Sequence, residues 1–282
     1  MKLFSRTTRN TPKYSGKSLL FLSLLILISH GLFAQNNSIS RINAFQAGEK
    51  LTFKLYYNSA VTGNVSAGEL VSEIKPNKVM IQNHSSYHIV MEGKTKGAFN
   101  WFFKIRDRFE SYLDEHSLLP HLFKKRIEEG DYETQRDVRF DQANGTISYH
   151  NLKNGNKGVV KTELEVQDLV SSLYYIRNWD FRNTVAGSKH LLDVFLDDSV
   201  YRIQFEYVGL ANVKTDLGEI QCLELKPQLL TGGVFADEKS MTVYVSNDNN
   251  HLPILVISKV MVGSVRMELK EYSGLRYALA IQ

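Results

Sequence analysis

His84 and His88 are the first pair of residues whose type suggests chemistry, because imidazoles are common metal ligands. They adjoin an alternating stretch through Ile89 and Met91, which is typical of a β-strand. Residues four apart on a strand are separated by roughly 13 Å. A zinc ion holds nitrogen ligands at about 2 Å and cannot bridge that distance. The sequence therefore predicts no metal site at this pair or elsewhere.

Cys222 is the only cysteine and the one candidate for a thiol nucleophile. It lies in an apolar stretch with Leu223 and Leu225, and no histidine close in sequence could serve as its base. We therefore expect a small buried side chain there. The chain also lacks the G-x-S-x-G, Walker, H-E-x-x-H and S-x-x-K motifs. The sequence thus predicts no cofactor and none of the easily recognised enzyme classes.

Two short runs of acidic residues are the candidates for paired carboxylates. The first contains Glu128, Glu129 and Asp131, and the second contains Asp197 and Asp198. Adjacent residues on a strand point to opposite faces, so neither run is by itself a general acid and base pair. Both runs are typical of turns or strand edges. A pair of carboxylates from separate strands, roughly 5 to 9.5 Å apart, remains open as the basis of a hydrolase.

The segment 99–109 provides the candidate ligand-binding residues. If it is a strand, one face is apolar and belongs to the core, namely Phe99, Trp101, Phe103 and Ile105. The other face is basic except for one aromatic residue, Phe102, beside Lys104 and Arg106. An exposed aromatic side chain next to cations could contact an amphipathic anion or an acidic partner. We therefore predict ligand binding at Phe102, Lys104 and Arg106, although an ordinary exposed phenylalanine also fits.

Residues 1–34 have the organisation of a cleavable signal peptide. Basic residues precede an apolar stretch at 19–28, which is shorter than the roughly 20 residues that span a bilayer, and Ala34 suits a peptidase. All five charged residues of this segment are basic. Subtracting them from the 34 Lys and Arg leaves 29, against 30 Asp and Glu. The chain is therefore predicted to be exported, near neutral, without a membrane span after cleavage, and not to bind nucleic acid.

The rest of the chain alternates as half-buried strands do. Leu51, Phe53, Leu55 and Tyr57 share one parity, and residues 201–207 and 265–269 repeat the pattern. One-sided burial is typical of antiparallel sheets. Residues 166–178 instead have the spacing of a helix. We predict a flexible leader at 35–43 and one mainly β domain at 44–282. Its expected fold is a curled antiparallel sheet, a partly closed β-barrel or β-roll, with one packed α-helix near 166–178.

The chain resembles the DUF3108 family of exported bacterial proteins of unknown function. The resemblance rests on the order and spacing of several short elements, namely Gly48-Glu49-Lys50-Leu51, Ala67-Gly68, Leu173-Tyr174-Tyr175-Ile176-Arg177, Gly218 through Cys222, Val245-Ser246-Asn247-Asp248 before Pro253, and Gly263-Ser264 followed by Leu269. It implies a β-rich fold and a cell-envelope location, with the periplasm expected and outer-membrane association or secretion left open. It implies no catalytic residue. Family members often have tryptophan where this chain has Val245.

These observations favour a non-enzymatic binding or scaffold module of the cell envelope. Its expected partner is a lipid or other hydrophobic ligand, a glycan, or an envelope protein, because aromatic and apolar strand faces could line a cavity. A carboxylate-dependent hydrolase of envelope polymers is the alternative, and a purely structural partner in an outer-membrane assembly is a third reading. The oligomeric state is not determined by the sequence.

Overall fold

The computed structural model describes residues 43–60, 63–102, 104–163, 165–231, 234–235, 241–260 and 262–282. The predicted signal peptide at 1–34 and the leader, apart from Asn43, lie outside the described residues. Both assignments therefore stay predictions. Neither helix of the described part is long and apolar enough to cross a membrane.

The described residues form mostly strands. Those of the first part of the chain are β1 (Lys50–Ser59), β2 (Gly63–Ile74), β3 (Val79–Ile81), β4 (His84–Thr95), β5 (Arg106–Asp114), β6 (Pro120–Glu129), β7 (Tyr132–Asp141), β8 (Thr146–Asn151) and β9 (Lys157–Lys161). Those of the second part are β10 (Val166–Gln167), β11 (Lys189–Leu196), β12 (Ser199–Thr215), β13 (Gly218–Thr231), β14 (Val234–Phe235), β15 (Met241–Ser246), β16 (Pro253–Lys259) and β17 (Ser264–Ser273). The helices are α1 (Gly97–Phe102) and α2 (Leu169–Ile176).

The strands form one large sheet that is not closed. β1 pairs with both β2 and β17, so the first and last strands lie side by side. From β2 the sheet continues through β4, β5, β6, β7 and β8 to β9. From β17 it continues through β16, β15, β13 and β12 to β11. These pairings are antiparallel, and among the described strands only the short β10 runs parallel to its neighbour, β11. This confirms the predicted mainly β, curled antiparallel fold.

Alternation along the strands places one face of the sheet in the core. In β1, Leu51 and Phe53 are each only 2% exposed. Lys54, which follows Phe53 and points to the opposite face of the sheet, is exposed. The turn between β7 and β8 contains Gly145, whose φ of +59° is readily adopted by glycine. Asn144-Gly145 is a pair typical of hairpin turns, and β7 and β8 are indeed antiparallel neighbours.

Side chains join the two ends of the open sheet. Phe195 on β11 lies 6.2 Å, between ring centroids, from both Phe140 on β7 and Tyr149 on β8. Just beyond it, the Asp197 carboxylate accepts a hydrogen bond from Lys125 Nζ at 2.9 Å. Arg136 Nη1 lies 3.9 Å from the same carboxylate. The sheet is thus curled until its ends meet through side-chain packing and ion pairs rather than through a backbone ladder.

Helix α2 begins at a cap that the sequence contains. Asp168 Oδ1 accepts hydrogen bonds from the backbone N–H groups of Val170 and Ser171, and Ser171 Oγ accepts from the Asp168 N–H, which completes a capping box. Asp168 Oδ2 also accepts a hydrogen bond from Ser111 on β5 at 2.6 Å. The helix is shorter than the predicted 166–178, because Val166 and Gln167 pair with β11 instead.

The segment after β4 differs from the predicted strand. Residues 97–102 form helix α1, and β5 begins only at Arg106. Trp101, expected in the core, is 82% exposed. The prediction of a buried strand face here is therefore wrong. Alternating aromatic residues over so short a run do not distinguish a strand from a helix.

A buried ion pair joins the end of α2 to the start of β1. Arg177 Nη1 and Nη2 donate to the two carboxylate oxygens of Glu49 at 2.6 and 2.9 Å, and both side chains are almost fully buried. The same guanidinium donates to the carbonyl oxygens of Ala44 at 3.1 Å and Asn250 at 3.0 Å. Although burial alone would lower the pKa of Arg177, Glu49 raises it. Four chain segments are therefore joined by one side chain.

We expect Glu49→Gln to lower the free energy of unfolding by about 3–5 kcal/mol, because Arg177 would keep its charge in the interior without a counter-ion. Urea unfolding followed by circular dichroism measures this. The matched control is Glu133→Gln, which removes the partner of Lys153 in an exposed ion pair and should change stability far less, because water screens this pair. Equal losses in the two variants would contradict a special role of the buried pair.

Candidate functional site

The residues predicted to bind a ligand lie at the end of helix α1 and the start of β5. Phe102 ends helix α1, and its side chain lies outside the described part. Lys104 is exposed in the connection to β5. Arg106 Nη1 donates to the carbonyl oxygens of Ile105 at 2.6 Å and Thr95 at 3.4 Å. Because Arg106 bonds to nearby backbone, binding by these three residues stays a prediction without structural support.

A large apolar cavity lies between the concave face of the sheet and helix α2. Its volume is about 320 Å³, within the range of about 300–1,000 Å³ typical of small-molecule sites. The strands on both sides of β1 contribute apolar side chains to its wall. These are Leu70 on β2 and Met91 on β4 on one side, and Phe205, Leu225 and Met267 on β12, β13 and β17 on the other. The lining contains no aspartate or glutamate among the described residues.

The cavity lies where two hydrophobic clusters of the core meet. The first cluster contains Met91 and Tyr174, and the second contains Leu51 and Phe53. All four side chains also line the cavity. Leu70 packs against both clusters. A helix of only two turns therefore fills part of the space inside the curled sheet and leaves the remainder open between the clusters.

The polar side chains that line the cavity already have partners within the protein. Ser72 Oγ and Tyr174 Oη share a hydrogen bond of 2.7 Å, and Ser172 Oγ donates to the Leu169 carbonyl at 2.9 Å. His251 Nδ1 donates to the carbonyl of Arg177 at 2.7 Å, and the Arg177 guanidinium is paired with Glu49. Burial lowers the pKa of His251, which favours its neutral form. The cavity thus presents an apolar, electrically neutral wall.

Three exposed apolar side chains mark an opening of the cavity. Leu169 and Leu173 on α2 are 42% and 38% exposed, and Met241 at the start of β15 is 37% exposed. Leu169 also lines a second, smaller space of about 170 Å³ beside Phe195 at the join of the sheet ends. The exposed leucines of α2, Leu169 and Leu173, therefore line cavities rather than packing against other side chains.

The remaining candidates for chemistry lie outside this cavity. Cys222 on β13 is fully buried, and burial raises the pKa of its thiol to about 12. A thiolate nucleophile is therefore not formed near neutral pH. This is the small buried role that its sequence context predicts.

One acid pair from neighbouring strands is relevant to the hydrolase alternative. Asp107 on β5 and Glu129 at the end of β6 share a hydrogen bond. Burial raises the pKa of Asp107 to about 6, and the neighbouring Glu129 carboxyl adds to this shift. The Glu128 N–H, which donates to Asp107 Oδ1 at 3.3 Å, opposes it. Carboxyl groups in direct contact leave no room for a glycosidic bond, which needs roughly 5 Å or more.

The fold and the cavity define a class of protein: an open, β-barrel-like sheet curled around one helix and an apolar interior space. A family model for proteins of unknown function, DUF3108, matches residues 52–270. The chain belongs to the DUF3108 family, as its sequence motifs indicate. A comparison with curated proteins gave no significant match.

One of three similar solved structures supports the fold. A β-barrel-like protein of the domain of unknown function DUF1849 from Brucella abortus superposes with a TM-score of 0.56 at 12% identity, over 82% of this chain and 99% of that chain. A protein from Bacteroides fragilis with a YmcC-like fold, named as exported, gives 0.33 at 12% identity over 82% and 99%. A protein from Parabacteroides distasonis named as a lipoprotein gives 0.30 at 10% identity over 84% and 100%. Only the first supports the fold, and none carries a function to this chain.

Sequence reasoning missed the residues of the cavity, although one signal was present. Leu169 and Leu173 belong to the apolar stripe by which the helix is recognised. The stripe does not reveal which of its members face a space and which are packed. That distinction depends on strands that are distant in the sequence.

We expect Asp107→Asn to stabilise the protein at pH 7.5. The folded-state pKa of Asp107, about 6, lies above its ordinary value of 3.8, so ionisation opposes folding and stability falls as pH rises through this window. Asparagine keeps the acceptor for the Glu128 N–H and removes the charge. The gain should be on the order of 1 kcal/mol, since the site is partly exposed, and smaller at pH 4.5.

Urea unfolding at both pH values measures this difference. Asp141→Asn is the control, because hydrogen bonds from Asn144 lower the pKa of Asp141 and its substitution should reduce stability at pH 7.5. A gain for Asp107→Asn that does not change with pH would show that Asp107 is not held with a raised pKa.

Proposed function

We propose that this protein is a non-enzymatic module of the cell envelope that binds a hydrophobic ligand in the cavity beside helix α2. The observation that carries the proposal is an apolar space of about 320 Å³ whose five polar lining side chains have partners inside the protein. A ligand there gains by burying apolar surface and is offered few unpaired polar groups.

The wall chemistry favours a lipid-like chain over a glycan. A sugar carries hydroxyl groups that need partners when buried, and burial without them costs about 1–3 kcal/mol each. Here Tyr174 and Ser72 bond to each other, and Arg177 is neutralised by Glu49. A glycan or an envelope protein is therefore the less favoured partner at this site.

The proposed location outside the cytoplasm rests on the predicted signal peptide at 1–34. Basic residues before a short apolar segment are the pattern of export. We propose the periplasm as the compartment, with outer-membrane association or secretion as the alternatives.

The hydrolase alternative has less support. A catalytic pair of carboxylates would have to line a cleft that admits a polymer. The described lining of the cavity has no acidic residue, and Asp107 and Glu129 are in direct contact at another part of the sheet.

We expect Leu173→Trp to weaken hydrophobic ligand binding by about tenfold or more, equivalent to about 1.4 kcal/mol, because the larger side chain would fill the opening of the cavity. The uncharged fluorescent probe N-phenyl-1-naphthylamine, displaced by decanoic acid, measures this. Leu173 is partly exposed, so the variant should still fold, which its melting temperature verifies.

The matched control is Leu210→Trp, at an exposed leucine of β12 that does not line the cavity. It should bind the probe as the unmodified protein does. The proposal fails if the unmodified protein does not bind the probe, or if both variants bind equally. Native mass spectrometry of protein purified from its own envelope without detergent would then show whether a glycan or protein partner is bound instead.

A further inference from the structure

A second cluster of functional side chains lies at one rim of the sheet, where three neighbouring strands begin or end. His84 is the first residue of β4, Asp114 is the last of β5, and His121 is the second of β6. None of them lines the apolar cavity. The cluster is therefore separate from the proposed ligand site.

The local backbone brings these residues together. Gln82 and Asn83 have φ values of +51° and +66°, so they form a tight two-residue turn that places His84 opposite Ile81. The chain then returns along β5 to Asp114, whose N–H donates to the Leu119 carbonyl at 2.9 Å and closes the loop before β6.

The three side chains converge on one carboxylate oxygen. Asp114 Oδ2 lies 3.2 Å from His84 Nδ1 and 3.1 Å from His121 Nε2. The imidazole rings are 4.6 Å apart between centroids, and the three potential ligand atoms all lie within 4.8 Å of one another.

The backbone fixes the orientation of this carboxylate. Asp114 Oδ1 accepts hydrogen bonds from the N–H groups of His116 at 2.9 Å and Ser117 at 2.7 Å. Oδ2 is thereby directed at the two histidines. Such outer contacts hold ligating carboxylates in place in metal sites.

We infer that His84, Asp114 and His121 bind a divalent transition-metal cation of the zinc type. Zinc takes nitrogen ligands at about 2.0–2.1 Å and carboxylate oxygens at about 2.0–2.2 Å, so ligand atoms in a tetrahedral site lie roughly 3.4 Å apart. The two distances to Asp114 are close to this spacing. Three protein ligands leave a fourth position on the cation for water. Because the His84 side chain is 57% exposed, the cation can reach the site from solvent on that side.

The ion would join the β3–β4 turn to the loop between β5 and β6. The chain has one cysteine, so no intramolecular disulfide can hold this rim. The bound cation would also neutralise Asp114, which is buried and faces two imidazoles.

Isothermal titration of the tag-free protein with zinc chloride, after removal of metals with a chelator, tests this inference. We expect one equivalent to bind with micromolar or tighter affinity and to raise the melting temperature. His84→Ala and His121→Gln should each weaken binding by about tenfold or more, since even residues outside the ligand shell cost about 10–100-fold.

The control is His150→Ala, because His150 is a half-buried histidine of β8 and is not a member of the cluster. It should leave the affinity within about twofold of the unmodified value. His84 is exposed, so its alanine variant should fold, and its melting temperature without metal verifies this. Absence of zinc binding, or a similar affinity in His84→Ala and His150→Ala, would overturn the inference.

Discussion

The ion pair between Arg177 and Glu49 lies where the sheet, the C-terminal end of α2 and the segment that precedes β1 meet. The guanidinium donates four of its five possible hydrogen bonds, to Glu49, Ala44 and Asn250, and the carbonyl of Arg177 accepts another from His251. Burying two charges is costly, and a well-packed apolar pair could stabilise a protein as much. The ion pair also restricts the geometry, because the planar guanidinium can make these hydrogen bonds only when the segments around it have one arrangement.

This constraint determines where the interior remains open. The ion pair fixes the C-terminal end of α2 against β1, and the Asp168 cap with Ser111 fixes its N-terminal end against β5. A helix held at both ends cannot move inward to close the gap between the two hydrophobic clusters. The apolar cavity is therefore a consequence of how the helix is anchored, and Leu169 and Leu173 remain uncovered along its free side.

The join of the sheet ends has a different character. It depends on Phe195 packing against Phe140 and on ion pairs from Lys125 and Arg136 to Asp197, with no continuous backbone ladder between the described strands. Backbone hydrogen bonds hold neighbouring strands in one register, whereas side-chain contacts tolerate small displacements. The barrel-like shape is thus most firmly fixed at β1, between β2 and β17, and least firmly at the opposite side.

The sequence by itself determined the features that arise from local periodicity. The alternation of Leu51 and Phe53 predicted a strand and the helical spacing within 166–178 predicted a packed helix, because side-chain direction repeats every two or 3.6 residues. The same reasoning was wrong at Trp101, where alternating aromatics form a short helix after Gly97.

Only the tertiary structure decided which residues meet. Arg177 and Glu49 are 128 positions apart, and the neighbours of His84 in space are Asp114 and His121 rather than His88. Likewise, nothing in the apolar stripe of α2 shows that Leu173 lines a cavity. The physical reason is that a curled antiparallel sheet sets its contacts by strand order and register, and neither can be derived from the spacing of residues within one strand.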